Sequence, residues 1–315
     1  MTEFATKDKT YALDNGLRNR IKPGWQEMLK PAKGRLKAPL DPAGFVPAVM
    51  QAETDLFEFK GTMVNKRILE IGCNEGMRCQ IMGKYEGATV HGIDVDEYTV
   101  NQSPDLNCWN PVDVDYVNET FHTMRTKIAK LFPLTKDKVT FETSDIVNYT
   151  PKNGQHDLII SWDTLEHLTD LPSAFNTMAK CLSSGDLSYH EYNPFFSING
   201  GHSLCTLDFL YGHAILDKGD FERYIREIRP YEEKVDIYFY NKCLNRASMS
   251  DVRKGAEDAG FKVLHLDGVS SFGERTQSWT KRIKEEFLPE VNKVYPTVEV
   301  KDMLCNSVQL ILEKT

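Results

Sequence analysis

The segment Ser161-Trp162-Asp163-Thr164-Leu165-Glu166-His167 brings two carboxylates and an imidazole close together. An imidazole titrates near pH 6.5, so His167 suits proton removal at neutrality, with the Asp163 carboxylate beside it. A second stretch, His190-Glu191-Tyr192-Asn193-Pro194-Phe195-Phe196-Ser197-Ile198-Asn199-Gly200-Gly201-His202, is dense in polar and aromatic groups, and His213 follows it. Aromatic rings make the walls of a small-molecule pocket, while a few amides and imidazoles fix a polar guest inside. A single histidine more often serves as a hydrogen-bonded structural residue. As a group, these side chains read as catalytic (His167, Asp163, His202) and acceptor-binding (Tyr192, Asn193, His202, His213).

Such loops act together only if strands deliver them to one edge of a sheet. The run His156 to Ser161 reads as the strand before the first loop, and Asp186 to Glu191 as the strand before the second. A third strand, Arg67-Ile68-Leu69-Glu70-Ile71, runs into Gly72-Cys73-Asn74-Glu75-Gly76 and then an apparent helix. Glycines there let the backbone turn sharply and a ligand come close. The helix that follows aims its N-terminal amides into the crevice. Thr89-Val90-His91-Gly92-Ile93-Asp94 ends in a carboxylate about twenty residues further on, where a ribose diol is held in such folds. These features together describe a nucleotide-type cofactor site. The dinucleotide pattern G-x-G-x-x-G fails twice, because Asn74 and Met77 occupy its second and third glycine positions. A nicotinamide-dependent oxidoreductase is disfavoured accordingly.

What remains is E-x-G-x-x-x-G, which resembles motif I of the class I S-adenosylmethionine-dependent methyltransferases. Asp94 matches the acid of motif II, Thr143-Ser144-Asp145-Ile146 the segment that reads the adenine edge, and His156 to Ser161 the fourth strand. The resemblance implies an α/β, Rossmann-like sheet of seven mainly parallel strands flanked by helices, with S-adenosylmethionine as cofactor. It also implies cofactor contacts at Glu70, Gly72, Cys73, Asn74, Gly76, Asp94, Asp145, Ile146 and Ser161. Glu70 would meet the methionine amine and Asp94 the ribose hydroxyls. The D-x-x-E-H of Asp163, Glu166 and His167 is similar to an E-x-x-E-H that binds a divalent cation in a few family members. Many others carry L-E-H there without metal, and aspartate shortens the reach at the first position. The expectation is therefore a site without metal.

Composition sets limits on partners. The 315 residues carry 38 basic and 46 acidic side chains, a formal charge of −8. That balance argues against a general nucleic-acid binder, which needs a basic stripe to displace counterions. Lys30, Lys33, Arg35 and Lys37 form only a local patch. Seven cysteines without C-x-x-C spacing indicate neither a zinc site nor a disulfide framework. No apolar run is long enough to span a bilayer, and the polar N-terminus lacks a signal segment, so a cytoplasmic protein is expected.

The chain divides into an N-terminal helical extension over residues 1–60 and a methyltransferase domain over 61–315, with insertions at about 97–138, 190–244 and 270–304. Leu13, Leu17 and Ile21 fall at helical spacing, and a second helix is expected from about Phe45 to Phe59. Asp220 to Arg229 alternates charges with Phe221, Tyr224 and Ile228, a helix with one buried face suited to a lid or a homodimer contact. The function expected is methyl transfer to a small or medium polar metabolite, with a hydroxyl favoured as acceptor. Nitrogen or sulfur of an amino-acid-like molecule, or a glycan or nucleotide sugar, are the alternatives. A protein that binds S-adenosylmethionine without catalysis is the competing class.

Overall fold

The computed structural model of the chain describes residues 2–25, 41–95, 114–150 and 156–315. A small hairpin, β1 (Glu3–Ala5) with β2 (Thr10–Ala12), and a short helix, α1 (Leu17–Ile21), come first. The main sheet holds β3 (Arg67–Ile71), β4 (Thr89–Asp94), β5 (Val139–Thr143), β6 (His156–Trp162), β7 (Leu182–Tyr192), β8 (Phe261–Ser270) and β9 (Cys305–Lys314). Their order across the sheet is β5-β4-β3-β6-β7-β9-β8. The first five in that order are parallel, and β9 lies antiparallel between β7 and β8. This is the seven-stranded, mainly parallel sheet expected from the sequence.

Alternation along the strands explains the two covered faces. Leu69, Ile71 and Ile159 enter one apolar layer, while Ile68, Leu158 and Ile160 enter the other. The second layer is closed by α2 (Val46–Glu58), α3 (Met77–Tyr85) and α4 (Val114–Leu131). The first is closed by α5 (Leu171–Cys181) and the helix Met249–Asp258. Side chains start these helices. Asp170 accepts from the Ser173 amide, and Ser248 and Asp251 form a reciprocal capping box. Register places the strand ends level, with Ile71 opposite both Ile93 and Ser161, Asp94 opposite Thr143, and Trp162 opposite Glu191. The loops after β3, β4, β6 and β7 therefore emerge along one edge.

A third apolar core was not legible in the sequence. Phe195, Phe196, Leu207, Phe221, Tyr240, Phe272, Val291 and Met303 pack together, so two of the insertions share one interior. Its helices include α6 (Gly212–Ile215), α7 (Lys218–Ile228) and α8 (Glu233–Lys242). The N-terminal hairpin belongs to this unit, since Phe4 is buried in it and Tyr11 stacks on Phe209 at 4.4 Å. The helical spacing of Leu13, Leu17 and Ile21 thus extends too far back. The Leu13 amide donates to the Thr2 carbonyl as part of the hairpin, and only Leu17–Ile21 is helical. Residues Lys30, Lys33, Arg35 and Lys37, and part of the first insertion, lie outside the described residues. No helix among the described residues is long and apolar enough to cross a membrane.

Candidate active site

The turn after β3 is fixed by its neighbours on both sides. Gly72 and Gly76 take left-handed backbone, with φ of 73° and 79°, and Asn74 between them has φ of 52°. A Cβ on Gly72 would run into the Thr164 hydroxyl, and one on Gly76 would enter the Phe141 ring. The glycines make room for the protein's own side chains, a reason that sequence spacing did not reveal. The Asn74 amide donates to Asp94 Oδ2 at 2.7 Å. Arg125 from α4 donates to the Asn74 carbonyl at 3.0 and 2.6 Å and stacks over Phe141. Arg125 had no signal in the sequence, because it lies in an insertion.

Two carboxyls at this end have shifted titration. Burial pushes Asp94 up to about 6, against the opposing pull of the Asn74 amide and Arg125. Burial also pushes Glu70, which is 1% exposed, up to about 7, while the Cys79 thiol donates to its Oε2 at 2.7 Å. Arg78, near the start of α3, stacks 4.9 Å from the Trp162 ring, and its Nε and the Trp162 Nε1 have no partner among the described residues. Asp145 turns its carboxylate back to the Val147 amide at 2.9 Å, next to buried Ile146. The Ser161 hydroxyl is engaged with His190 Nδ1 at 2.7 Å, inside the sheet. Cys73 is buried beneath the turn.

The loop after β6 carries the second half of the site. Thr164, whose hydroxyl lies 2.9 Å from the Trp162 carbonyl, sits against Gly72 and so joins the two halves. Asp163 has left-handed backbone at φ 51°, and its Oδ1 accepts from Asn193 Nδ2 at 2.8 Å. Glu166 is 3% exposed. Its Oε1 accepts from the Asn193 amide at 3.2 Å and from Asn193 Nδ2 at 3.3 Å, while its Oε2 has no partner among the described residues. Burial raises this carboxyl to about 7.

His167 Nδ1 lies 2.6 Å from the Cys243 carbonyl oxygen, which can only accept. Nδ1 therefore carries the proton and Nε2 presents a lone pair. The His202 ring stands 5.1 Å from that of His167, and Phe239 packs against both. His202 Nε2 is buried without a partner among the described residues, and burial holds the ring down at about 3. One donor atom from each of Glu166, His167 and His202 falls within a group spanning 4.8 Å.

The structure thus gathers Asp163, Glu166, His167, Asn193 and His202. It places His213 elsewhere in the same unit, fully buried, with Nε2 donating to the Phe195 carbonyl at 2.9 Å. Tyr192 is buried in the core beneath, its hydroxyl unpartnered among the described residues. Asn245 is a residue whose part the sequence hid. Its amide holds the Glu166 carbonyl, and its side chain holds those of Leu165 and Leu168, fixing the turn that carries His167. The arginines of α7 take the common fate of such residues, with Arg223 pairing Asp220, Arg226 pairing Glu222 and Arg229 pairing Asp208.

A Rossmann-like sheet with an acid after its second strand, a glycine turn after its first and a polar loop after its fourth defines the class I methyltransferase architecture. The chain belongs to the methyltransferase-domain family, whose model matches residues 43–266. It is an S-adenosylmethionine-dependent methyltransferase, and S-adenosylmethionine is its cofactor. The donor set fits that group, with a half-buried carboxylate at Asp94 for hydroxyls, a buried one at Glu70 for an ammonium and an unpartnered arginine nitrogen at Arg78.

Among solved structures, the chain is similar to a candidate sarcosine dimethylglycine methyltransferase from Galdieria sulphuraria, at 12% identity and a TM-score of 0.50, over 96% of this chain and 99% of that one. It is similar to the geranyl diphosphate C-methyltransferase of Streptomyces coelicolor A3(2), at 12% identity and a TM-score of 0.48, over 96% and 100%. It is also similar to phosphoethanolamine N-methyltransferase 2 of Haemonchus contortus, at 16% identity and a TM-score of 0.47, over 84% of this chain and 52% of that one. At such identities the likeness is one of fold. A sequence search of curated proteins returned no match.

Proposed function

We propose that the enzyme methylates a small or medium polar metabolite, with a hydroxyl as the favoured acceptor. The observation that carries this reading is the His167 tautomer. With its Nδ1 proton committed to the Cys243 carbonyl, its Nε2 keeps a lone pair, and a donor atom of this residue lies within 4.8 Å of donor atoms of Glu166 and His202. A hydroxyl needs a group of this kind to take or loosen its proton, whereas a thioether acceptor needs only alignment.

S-adenosylmethionine supplies the electrophilic methyl group. On this reading Asp94 receives the ribose hydroxyls, Glu70 the methionine ammonium and Arg78 its carboxylate. Gly72, Cys73, Asn74 and Gly76 form the floor, with Asp145 and Ile146 at the adenine end. Ser161 lies near the end of the strand below. Asp163 holds Asn193, Asn193 holds Glu166, and His202 with Phe239 closes the acceptor side. The apolar core against which Phe239 packs backs these groups and would suit a discrete molecule better than a polymer.

The test begins with thermal shifts in S-adenosylmethionine, S-adenosylhomocysteine and NAD. A ligand at a hundred times its dissociation constant stabilises by about 2.7 kcal/mol, several degrees in melting temperature. Shifts from the two sulfur nucleotides alone are expected. Release of S-adenosylhomocysteine is then followed across hydroxyl, amine and thioether acceptors. Turnover of amines or thioethers with none of hydroxyls would overturn the acceptor assignment.

A further inference from the structure

Three residues on the proposed acceptor side, Glu166, His167 and His202, each offer a donor atom within 4.8 Å of the others. Glu166 is 97% removed from solvent by the fold, being 3% exposed, and Asn193 satisfies one of its oxygens from two nitrogens. The other oxygen, Oε2, has no partner among the described residues. His167 is locked by the Cys243 carbonyl in the tautomer that leaves Nε2 unprotonated. His202 has a buried Nε2 without a partner among the described residues. A buried polar atom left unpaired costs about 1–3 kcal/mol, so two beside a free imidazole lone pair call for a common ligand.

We infer that Glu166, His167 and His202 bind one divalent transition-metal ion, two imidazoles and one carboxylate on one side of it. Asp163, which the sequence pattern would nominate, is not in the set. Its Oδ1 is held by Asn193, and the donor group the fold assembles replaces it with His202, from a different loop. The three donor atoms lie within 4.8 Å of one another. Nitrogen and oxygen ligands stand about 2.1 Å from such an ion, hence roughly 3–3.4 Å apart, so side-chain rotations of about an ångström close the site. The supports that a metal site needs are already in place. The Cys243 carbonyl orients His167 through its other nitrogen, and Asn193 orients the Glu166 carboxylate.

Ligand chemistry sets the class of ion. Two neutral imidazoles with one carboxylate suit zinc, iron or nickel, and suit poorly magnesium and calcium, which prefer oxygen throughout. Three protein ligands leave further coordination positions open. This deepens the proposed reading and rests on it for what fills those positions. A hydroxyl bound there would be acidified by the ion and would give its proton to solvent water, since the His167 lone pair would be held by the ion. This proposal departs from the metal-free site expected from sequence and uses a ligand set different from the D-x-x-E-H pattern.

The experiment uses the full chain stripped with a chelator and titrated with Co2+, read by visible d–d absorption. One Co2+ per chain is expected, displaced by Zn2+ but not by millimolar Mg2+. Glu166→Gln and His202→Gln should each weaken Co2+ binding at least tenfold while S-adenosylmethionine still raises the melting temperature, which shows that each variant is folded. If Glu166→Gln fails to fold, His202→Gln decides. No Co2+ binding to the stripped protein overturns the inference. So does undiminished binding in a folded variant, displacement by Mg2+, or a thiolate charge-transfer band placing the ion on a cysteine. Loss of the S-adenosylmethionine shift in the parent protein would count against the methyltransferase reading instead, and Co2+ binding would be judged separately from it.

Discussion

Replacing Gly72 by alanine puts a methyl group where both the backbone and a neighbour resist it. The residue sits at φ 73°, a conformation that costs a residue with a Cβ about 1–2 kcal/mol. The new Cβ would run into the Thr164 hydroxyl and stand 2.9 Å from its Cγ2 and 3.0 Å from its Cβ. Thr164 is not free to swing aside, since its hydroxyl lies 2.9 Å from the Trp162 carbonyl and 3.3 Å from that of Ile71. Overpacking of this kind costs about 1–3 kcal/mol. A total near 3 kcal/mol lowers the melting temperature by about 4–5 °C in a chain of this size. Urea unfolding of the ligand-free protein measures it. Thr164→Ala alone should cost about 1 kcal/mol for its lost hydrogen bond. In the double variant the hydroxyl and methyl are gone, so the two costs should fall short of their sum by about 1–2 kcal/mol. Strict additivity would refute the clash. A Gly72→Ala protein with unchanged urea midpoint and lost cofactor affinity would refute the whole argument, and would show that the glycine exists only for the ligand.

Asp94→Asn keeps an oxygen for the Asn74 amide but loses the charge that the ribose hydroxyls would meet, so the fold should survive while cofactor binding weakens by about 3 kcal/mol, roughly a hundredfold, by calorimetry. Arg125→Ala frees the Asn74 carbonyl and should weaken cofactor binding by about 1–2 kcal/mol without changing the acceptor KM; an unchanged dissociation constant would mean that α4 does not hold the turn. Glu70 gives a pH signature. Its carboxyl is raised to about 7 in the fold from an ordinary 4.5, so the folded state holds a proton that the unfolded state has lost. Stability contributed by that proton falls as pH rises from about 5 through 7, by about 3 kcal/mol in all. Half-buried His156 and buried His190, depressed to about 4 and 3, act in the opposite sense below about pH 6.5, so the parent protein is compared with Glu70→Gln. The variant should gain on the parent between pH 5 and 8, and parallel curves would refute the shift.

The cofactor half of the site was legible because its signals are local. Glu70, Gly72, Gly76 and Asp94 lie within one strand–turn–helix–strand unit, where strand period and turn glycines are visible in sequence. Even there the cause was incomplete. Thr164 and Phe141, distant in the chain, are what the two glycines accommodate, and no spacing rule contains them. Arg78 and Arg125 were hidden for a related reason, since an arginine on a helix reads as a solvated side chain until the fold shows what it faces. Helical spacing of Leu13, Leu17 and Ile21 suggests one helix, but Leu13 follows the end of β2 and only Leu17 and Ile21 lie in the short helix.

The acceptor half was opaque because its order comes from contacts between segments far apart in sequence. His167 is oriented by the carbonyl of Cys243, its turn is clamped by Asn245, and Glu166 is held by Asn193. His202 sits at left-handed backbone, φ 51°, beside Ser203, whose carbonyl is gripped at 3.0 and 2.8 Å by Arg18 from the N-terminal helix. Arg18 is buried, pairs with Glu232 at 2.8 Å and stacks 3.5 Å from the Trp25 ring. The polar groups on the proposed acceptor side are thus set by backbone carbonyls and side chains of the inserted unit and the N-terminal segment, while the strands fix only where the loops begin. Changes in those added parts can therefore redirect the choice of acceptor without disturbing Asp94, Glu70 or the glycine turn. That separation is why the cofactor can be read from the motifs of this chain, whereas the acceptor has to be read from the polar cluster that the third core holds in place.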